Sequence, residues 1–121
     1  MMRSVFVLTL VLAAKMVSAE GFALVTADCA VPITVAAGEP EFVRLAAEDL
    51  ASDVQKITGK RPKLVTDGQM PAGVCVVIRT KAGGPWESYR VSTEDGRLVI
   101  EGGDARGTVF GVYAFIERYL K

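Results

Sequence analysis

Gly102-Gly103-Asp104-Ala105-Arg106-Gly107-Thr108-Val109-Phe110-Gly111-Val112-Tyr113-Ala114-Phe115-Ile116-Glu117-Arg118-Tyr119-Leu120 decides how this chain is read. It reads as a strand exit, a glycine turn and a helix that continues to the end of the sequence. Gly102, Gly103, Gly107 and Gly111 are dense for a helix entry, and each needs a reason, because glycine inside a helix costs roughly 1 kcal/mol against alanine. Asp104 is placed to cap the helix, and Gly102-Gly103 to make the turn before it. Gly107 and Gly111, one helical turn apart, share a face and predict a close approach of the backbone to a sheet. The stretch is also where a phosphate cradle would sit, between a strand and a helix. It does not spell G-x-G-x-x-G, since Asp104 stands second after Gly102, and it lacks the Lys-Ser/Thr ending of a P-loop. Asp104 would repel a phosphate unless Arg106 offset it. Capping and packing are the better reading.

Upstream, Ser88–Thr93 and Arg97–Glu101 flank Glu94-Asp95-Gly96, and Asp-Gly between alternating runs predicts a hairpin. Val74–Thr80 is the most apolar strand and is expected at the centre of the sheet. Loops precede and follow it at Asp67–Gly73 and Lys81–Pro85, and Lys63–Thr66 reads as a short strand. Between Glu41 and Thr58 the apolar positions Val43, Ala46, Ala47, Leu50, Val54 and Ile57 form one stripe of helical period. Gly59 supplies a left-handed C-cap, and Lys60-Arg61-Pro62 forces an extended exit. Phe22–Thr26 and Val31–Val35 suggest a first hairpin, with Pro32 turning one side of its strand to an edge. The order β-β-α-β-β-β-β-α predicts an α+β fold: a mixed, mostly antiparallel sheet with two helices packed on one face.

A length of 121 residues allows one domain, and half the residues are apolar, enough for a packed core. Residues 1–19 form a signal-peptide pattern: basic Arg3, an apolar run Val5–Ala14, and small residues in Val17-Ser18-Ala19. The run is too short for a membrane span and Lys15 interrupts it. A secreted or periplasmic domain over 20–121 is therefore expected. Without Arg3 and Lys15, twelve basic face fourteen acidic residues, a net charge of −2. That gives no basic stripe for nucleic acid and no polybasic patch for a membrane surface. Cys29 and Cys75 either pair in an oxidising compartment or stand as separate buried thiols.

The chain contains no histidine, which removes Ser-His-Asp and Cys-His nucleophiles and the two-histidine helical zinc site. No residue pattern calls for a metal or a cofactor. Carboxylates are plentiful, but Glu41, Glu48, Asp49 and Asp53 lie on the polar side of the first helix and Asp95 lies in a tight turn. Glu101 and Asp104, beside Arg106, are the acids to test first for acid/base work. Trp86 follows Gly83-Gly84-Pro85. It either covers one end of the core or stands out to stack on a sugar ring. Trp86, Asp104 and Arg106 are the candidate ligand or domain contacts, and no catalytic residue is assigned.

Three segments together carry a family resemblance. They are Phe42–Leu50 running to Lys56-Ile57-Thr58-Gly59-Lys60-Arg61-Pro62; Tyr89-Arg90-Val91 leading through Asp95-Gly96 to Leu98-Val99-Ile100; and Arg106–Leu120 with its Arg-Gly and Phe-Gly-Val-Tyr. This resembles the N-terminal α/β domain that precedes the catalytic barrel in α-glucuronidases and β-N-acetylhexosaminidases. The resemblance implies a zincin-like fold without its metal site, no cofactor, and no catalytic residue, because the family's catalytic carboxylates belong to a (β/α)8 barrel. It implies a secreted non-catalytic accessory domain for degrading xylan glucuronosides or amino-sugar glycans, with such a barrel or a glycan as partner. The alternative is a stand-alone polysaccharide-binding module.

Overall fold

The computed structural model describes residues 18–19, 22–25 and 29–120. Residues 1–17 of the expected signal peptide lie outside them. Ser18–Ala19 (β1) and Phe22–Ala23 (β2) form a two-stranded antiparallel pair of their own. The main sheet has five strands: β3 (Ile33–Val35), β4 (Leu64–Val65), β5 (Val76–Thr80), β6 (Tyr89–Glu94) and β7 (Arg97–Gly102). Their spatial order is β4-β3-β5-β7-β6, so the apolar β5 is central, as its composition predicts. The helices are α1 (Glu41–Thr58) and α2 (Ala105–Tyr119).

The fold is α+β, with a mixed sheet and two helices, but the balance of pairings differs from expectation. β3–β4, β3–β5 and β5–β7 are parallel, and β6–β7 alone in this sheet is antiparallel. Short links suggested antiparallel neighbours, because parallel strands need a crossover. Here three different pieces serve as crossovers. Helix α1 carries the chain from β3 to β4. The helix-free segment 66–75 carries it past β3 to β5, and the Thr34 hydroxyl donates to the Gln69 carbonyl at 2.7 Å on the way. Strand β6 is itself the excursion between β5 and β7.

The first hairpin is also corrected. Where pairing is expected between 22–26 and 31–35, the described residues show the bridge Val25–Ala30 and the bond from Val31 N–H to Leu24 O at 2.9 Å. Strand β3 is interior rather than an edge. Pro32 sits just before it, where no N–H is needed, and its carbonyl accepts from Val76 N–H at 2.8 Å.

Local signals set the other elements. Helix α1 ends at Gly59, which has φ 80° and donates its N–H to Gln55 O. Asp95 and Gly96 both have positive φ, 52° and 79°, the backbone of a two-residue hairpin turn whose twist matches its strands. Val43, Ala46, Ala47, Leu50 and Val54 are buried against the sheet, whereas Ile57 is 40% exposed at the C-terminal end of its stripe. Ile33, Val35, Val76, Ile78, Leu98 and Ile100 face the helices and are buried, with Phe115 and Ile116 above them. On the opposite face Val77 and Val99 are buried as well. Further along that face Arg79 is held by Glu101 at 2.8 Å and Glu94 at 3.5 Å. The hydrogen bond that Arg79 donates to Glu101 is the main reason its guanidinium is held above its ordinary pKa.

The two helices are tied by Tyr113, whose hydroxyl donates to the Asp49 carboxylate. That bond, then burial, then the charges of Asp49 and Asp53 push the Tyr113 phenol up to about 12 from 10.0. A raised phenol pKa means the neutral form is favoured in the folded state. The tie is complete below pH 10 and is lost as pH rises through 12. Phenolate absorbance on alkaline titration is expected to show a late component near pH 12 that Tyr113→Phe removes. Its contribution to stability is small, because Tyr113 is 42% exposed.

Candidate functional site

The C-terminal ends of the parallel strands are where α/β sheets usually place ligands. Here the Gly-rich entry of α2 meets the loop that joins β5 to β6. Asp104, extended at φ −149°, caps α2: its Oδ1 accepts from Gly107 N–H at 2.7 Å. Its other oxygen, Oδ2, accepts from Glu87 N–H at 3.1 Å. Arg106 pairs with the Glu87 carboxylate at 3.2 Å. Two of the three predicted residues therefore converge on Glu87, the residue after the third, Trp86.

The glycines explain how the loop comes so close. A methyl group on Gly107 would lie 2.0 Å from the Ser88 carbonyl oxygen, and one on Gly103 2.5 Å from the Pro85 carbonyl oxygen. A methyl group on Gly102 would lie 2.1 Å from Thr108 N. Neither Gly102 nor Gly103 has positive φ, so they serve clearance and not turn conformation. A methyl group on Gly111 would lie 2.9 Å from Ile100 and 3.0 Å from Tyr89, the close sheet approach that its spacing predicts. With those Cβ atoms absent, Gly103 N–H bonds Ser88 O at 2.9 Å and Lys81 N–H bonds Gly102 O at 2.9 Å. Within the loop, Ser88 N–H and Oγ both donate to Pro85 O, at 3.2 and 2.7 Å. Glu87 takes φ 55°, an uncommon conformation for a residue with a side chain.

Trp86 stands in the middle of this fastened loop and is 81% exposed. The reading in which it covers the core is therefore wrong. Leaving an aromatic ring in water forgoes about 2 kcal/mol of burial. Tyr89, three residues on, and Phe110, next to Gly111, are each about half exposed.

The acids singled out for chemistry do not form a pair. Glu101 points to the face away from the helices and is neutralised by Arg79, with Arg90 at 3.9 Å. Asp104 has both oxygens engaged, and Arg106 belongs to Glu87. Sequence reasoning passed over Glu39. It is 9% exposed and lies just before α1. Its Oε2 accepts from Thr80 N–H at 2.8 Å and its Oε1 from the Thr80 hydroxyl at 2.9 Å. The Thr80 and Thr108 hydroxyls are 2.6 Å apart. Because Thr80 has one proton and gives it to Glu39, Thr108 donates to Thr80. Both Glu39 oxygens are thus taken by protein donors, which makes it a knot joining α1, β5 and α2. The signal for it, an acid beside Pro40 at a helix start, looked like ordinary first-turn charge.

A separate open groove of about 520 Å³ lies between β4 and Met70-Pro71. Cys75 is fully buried beside it, with its Sγ 3.7 Å from Met70 Sδ, and Cys29 is exposed. β4 and β6 are opposite edges of the sheet, roughly 19 Å apart across four strand spacings. Among the described residues no cluster of His, Cys, Asp and Glu is arranged to hold a metal ion. Among them, too, no helix is long and apolar enough to cross a membrane.

No family model matches this sequence, and no curated protein matches it. Eighteen solved chains match. Among them is a novel family GH115 4-O-methyl-α-glucuronidase with specificity for decorated arabinogalactans. It superposes with a TM-score of 0.57 at 21% identity, over 74% of this chain and 13% of the enzyme's. This chain has the fold of one part of a glycoside hydrolase. At that identity the likeness establishes architecture and not activity, and this chain spans about an eighth of the enzyme's length.

Proposed function

We propose that this chain is a secreted, non-catalytic accessory domain that supports a catalytic (β/α)8 barrel in the degradation of glycans, of the xylan glucuronoside or amino-sugar kind. The observation that carries this reading is the fold shared with a 13% portion of a much longer glucuronidase. The site chemistry agrees with it: Glu39, Glu101, Asp104 and Arg106 are all engaged in holding the fold. A barrel takes about 250 residues, so 121 cannot include one. In this reading residues 1–19 direct export, and the domain braces the barrel beside its active-site end.

The test mixes the purified chain with a GH115-type glucuronidase barrel expressed without its own equivalent domain. The expected results are co-elution on size exclusion and a higher melting temperature of the barrel. The chain alone is expected to release nothing from aryl glucuronides or aryl N-acetylhexosaminides. Two independent elution peaks with an unchanged barrel transition, or glycoside cleavage by the chain alone, would refute the reading.

A further inference from the structure

We infer that Trp86 is the stacking platform of a carbohydrate subsite, with Glu87 and Arg106 as its polar rim and the ring of a neutral or uronic sugar as its ligand. The inference rests on the proposed function only for the choice of glycan; the platform itself is argued from geometry.

The first observation is rigidity around an exposed ring. Trp86 is 81% exposed, yet the residues beside it are fastened: Pro85 by Ser88, Glu87 by Asp104, and Ser88 by Gly103. Glu87 is in addition held at φ 55°. Binding costs fall when the backbone that carries the contact group is already ordered, so an exposed ring on a fastened loop is suited to a partner. The second observation is that four glycines of the α2 entry and of the loop, Gly84, Gly102, Gly103 and Gly107, have no room for a Cβ. For Gly84, Gly103 and Gly107 the obstructing backbone belongs to the other segment, so the sequence at these positions is committed to holding this loop in place.

The character of the surroundings selects the ligand. Here the next side chain is a carboxylate, paired with a guanidinium that is itself 63% exposed. An apolar ring face edged by charged hydrogen-bonding groups matches a pyranose, which has a C–H face and a rim of hydroxyls. Arg106 keeps N–H donors beyond the one facing Glu87, and these suit hydroxyl or carboxylate oxygens of a sugar. A nucleic-acid base is disfavoured, because Arg106 is already neutralised by Glu87 and the sequence carries no basic stripe.

The test exploits the fact that Trp86 is the sole tryptophan, so emission reports this site alone. The intact chain is titrated with millimolar xylo-oligosaccharides carrying 4-O-methylglucuronate, with arabinogalactan oligosaccharides and with chito-oligosaccharides. At least one class is expected to shift the emission to shorter wavelength. By calorimetry, Trp86→Ala is expected to weaken that binding roughly tenfold, the scale of one stacked ring, with Trp86→Phe recovering part of it. Circular dichroism checks that both variants remain folded, as a change at so exposed a position should allow. The proposal is overturned if none of the three classes moves the emission, or if calorimetric binding is the same in Trp86→Ala. It is also overturned if the emission shifts with the chain's own concentration or with the added barrel but not with glycan, since the ring is then a protein contact. Failure of the chain to pair with a barrel leaves this titration intact. A barrel that pairs while glycans leave Trp86 unmoved refutes only the subsite.

Discussion

Gly107→Ala is expected to destabilise the domain by about 3 kcal/mol, at the upper end of what overpacking usually costs. On helix propensity alone the change should help by roughly 1 kcal/mol, since alanine is the better helix former. Packing wins because the added methyl would lie 2.0 Å from Ser88 O and 3.0 Å from Ser88 C and N, and all three are backbone atoms. Ser88 cannot retreat freely, because its carbonyl also accepts from Gly103 N–H at 2.9 Å. Two companions separate clash from conformation. Gly111→Ala meets side-chain atoms of Ile100 and Tyr89 at 2.9 and 3.0 Å, which can give way, so its cost should be smaller. Gly96→Ala has open space and φ 79°, so it should lose only the left-handed penalty of roughly 1–2 kcal/mol. Urea unfolding of the three variants gives the ranking. Equal losses for Gly107→Ala and Gly96→Ala would mean that α2 does not press on the β6 entry as described.

Glu39→Ala is the second large effect, about 1.5–3 kcal/mol, the range for leaving buried donors without their charged acceptor. The variant strands Thr80 N–H and breaks the chain of hydroxyls from Thr108 through Thr80, with Thr108 fully buried. For a domain of this size that corresponds to a fall in melting temperature of roughly 10 °C. Glu39→Gln should be much milder. Its carbonyl accepts from Thr80 N–H and its amide donates to the Thr80 hydroxyl. Thr80 then donates to Thr108, and Thr108 donates to Asp104 O or Arg79 O, which lie at 3.1 and 3.3 Å. The chain of protons reverses without an orphan. Thermal unfolding of the two variants is the measurement. A Gln variant as damaged as the Ala variant would show that the charge, and not the hydrogen-bond connectivity, holds the knot.

Much of the fold was legible wherever the physics is local. The α1 stripe and its Gly59 stop, the Asp95-Gly96 turn and the Asp104 cap all depend on residues within a few positions of one another. The predicted helix bounds and hairpin accordingly match α1 and β6–β7. The site was half legible. Trp86, Asp104 and Arg106 were nameable as a glycine-flanked aromatic and a charged helix entry. Their common meeting point, Glu87, was not, because nothing near Glu87 in sequence marks it as a partner of residues 104 and 106. Glu39 was passed over for the same reason, since its partners lie at Thr80 and, through it, at Thr108.

By itself, then, the sequence determined where this chain turns, caps and alternates, and it ruled out the chemistries that need histidine. The tertiary structure decided strand direction, because a loop or an excursion strand can serve as a crossover as well as a helix can. It also decided what the glycines are for. The clearance of Gly103 and Gly107 is set by atoms of residues 84–88, and which backbone will press on a given Cβ position is a property of the packed molecule and not of the neighbouring letters.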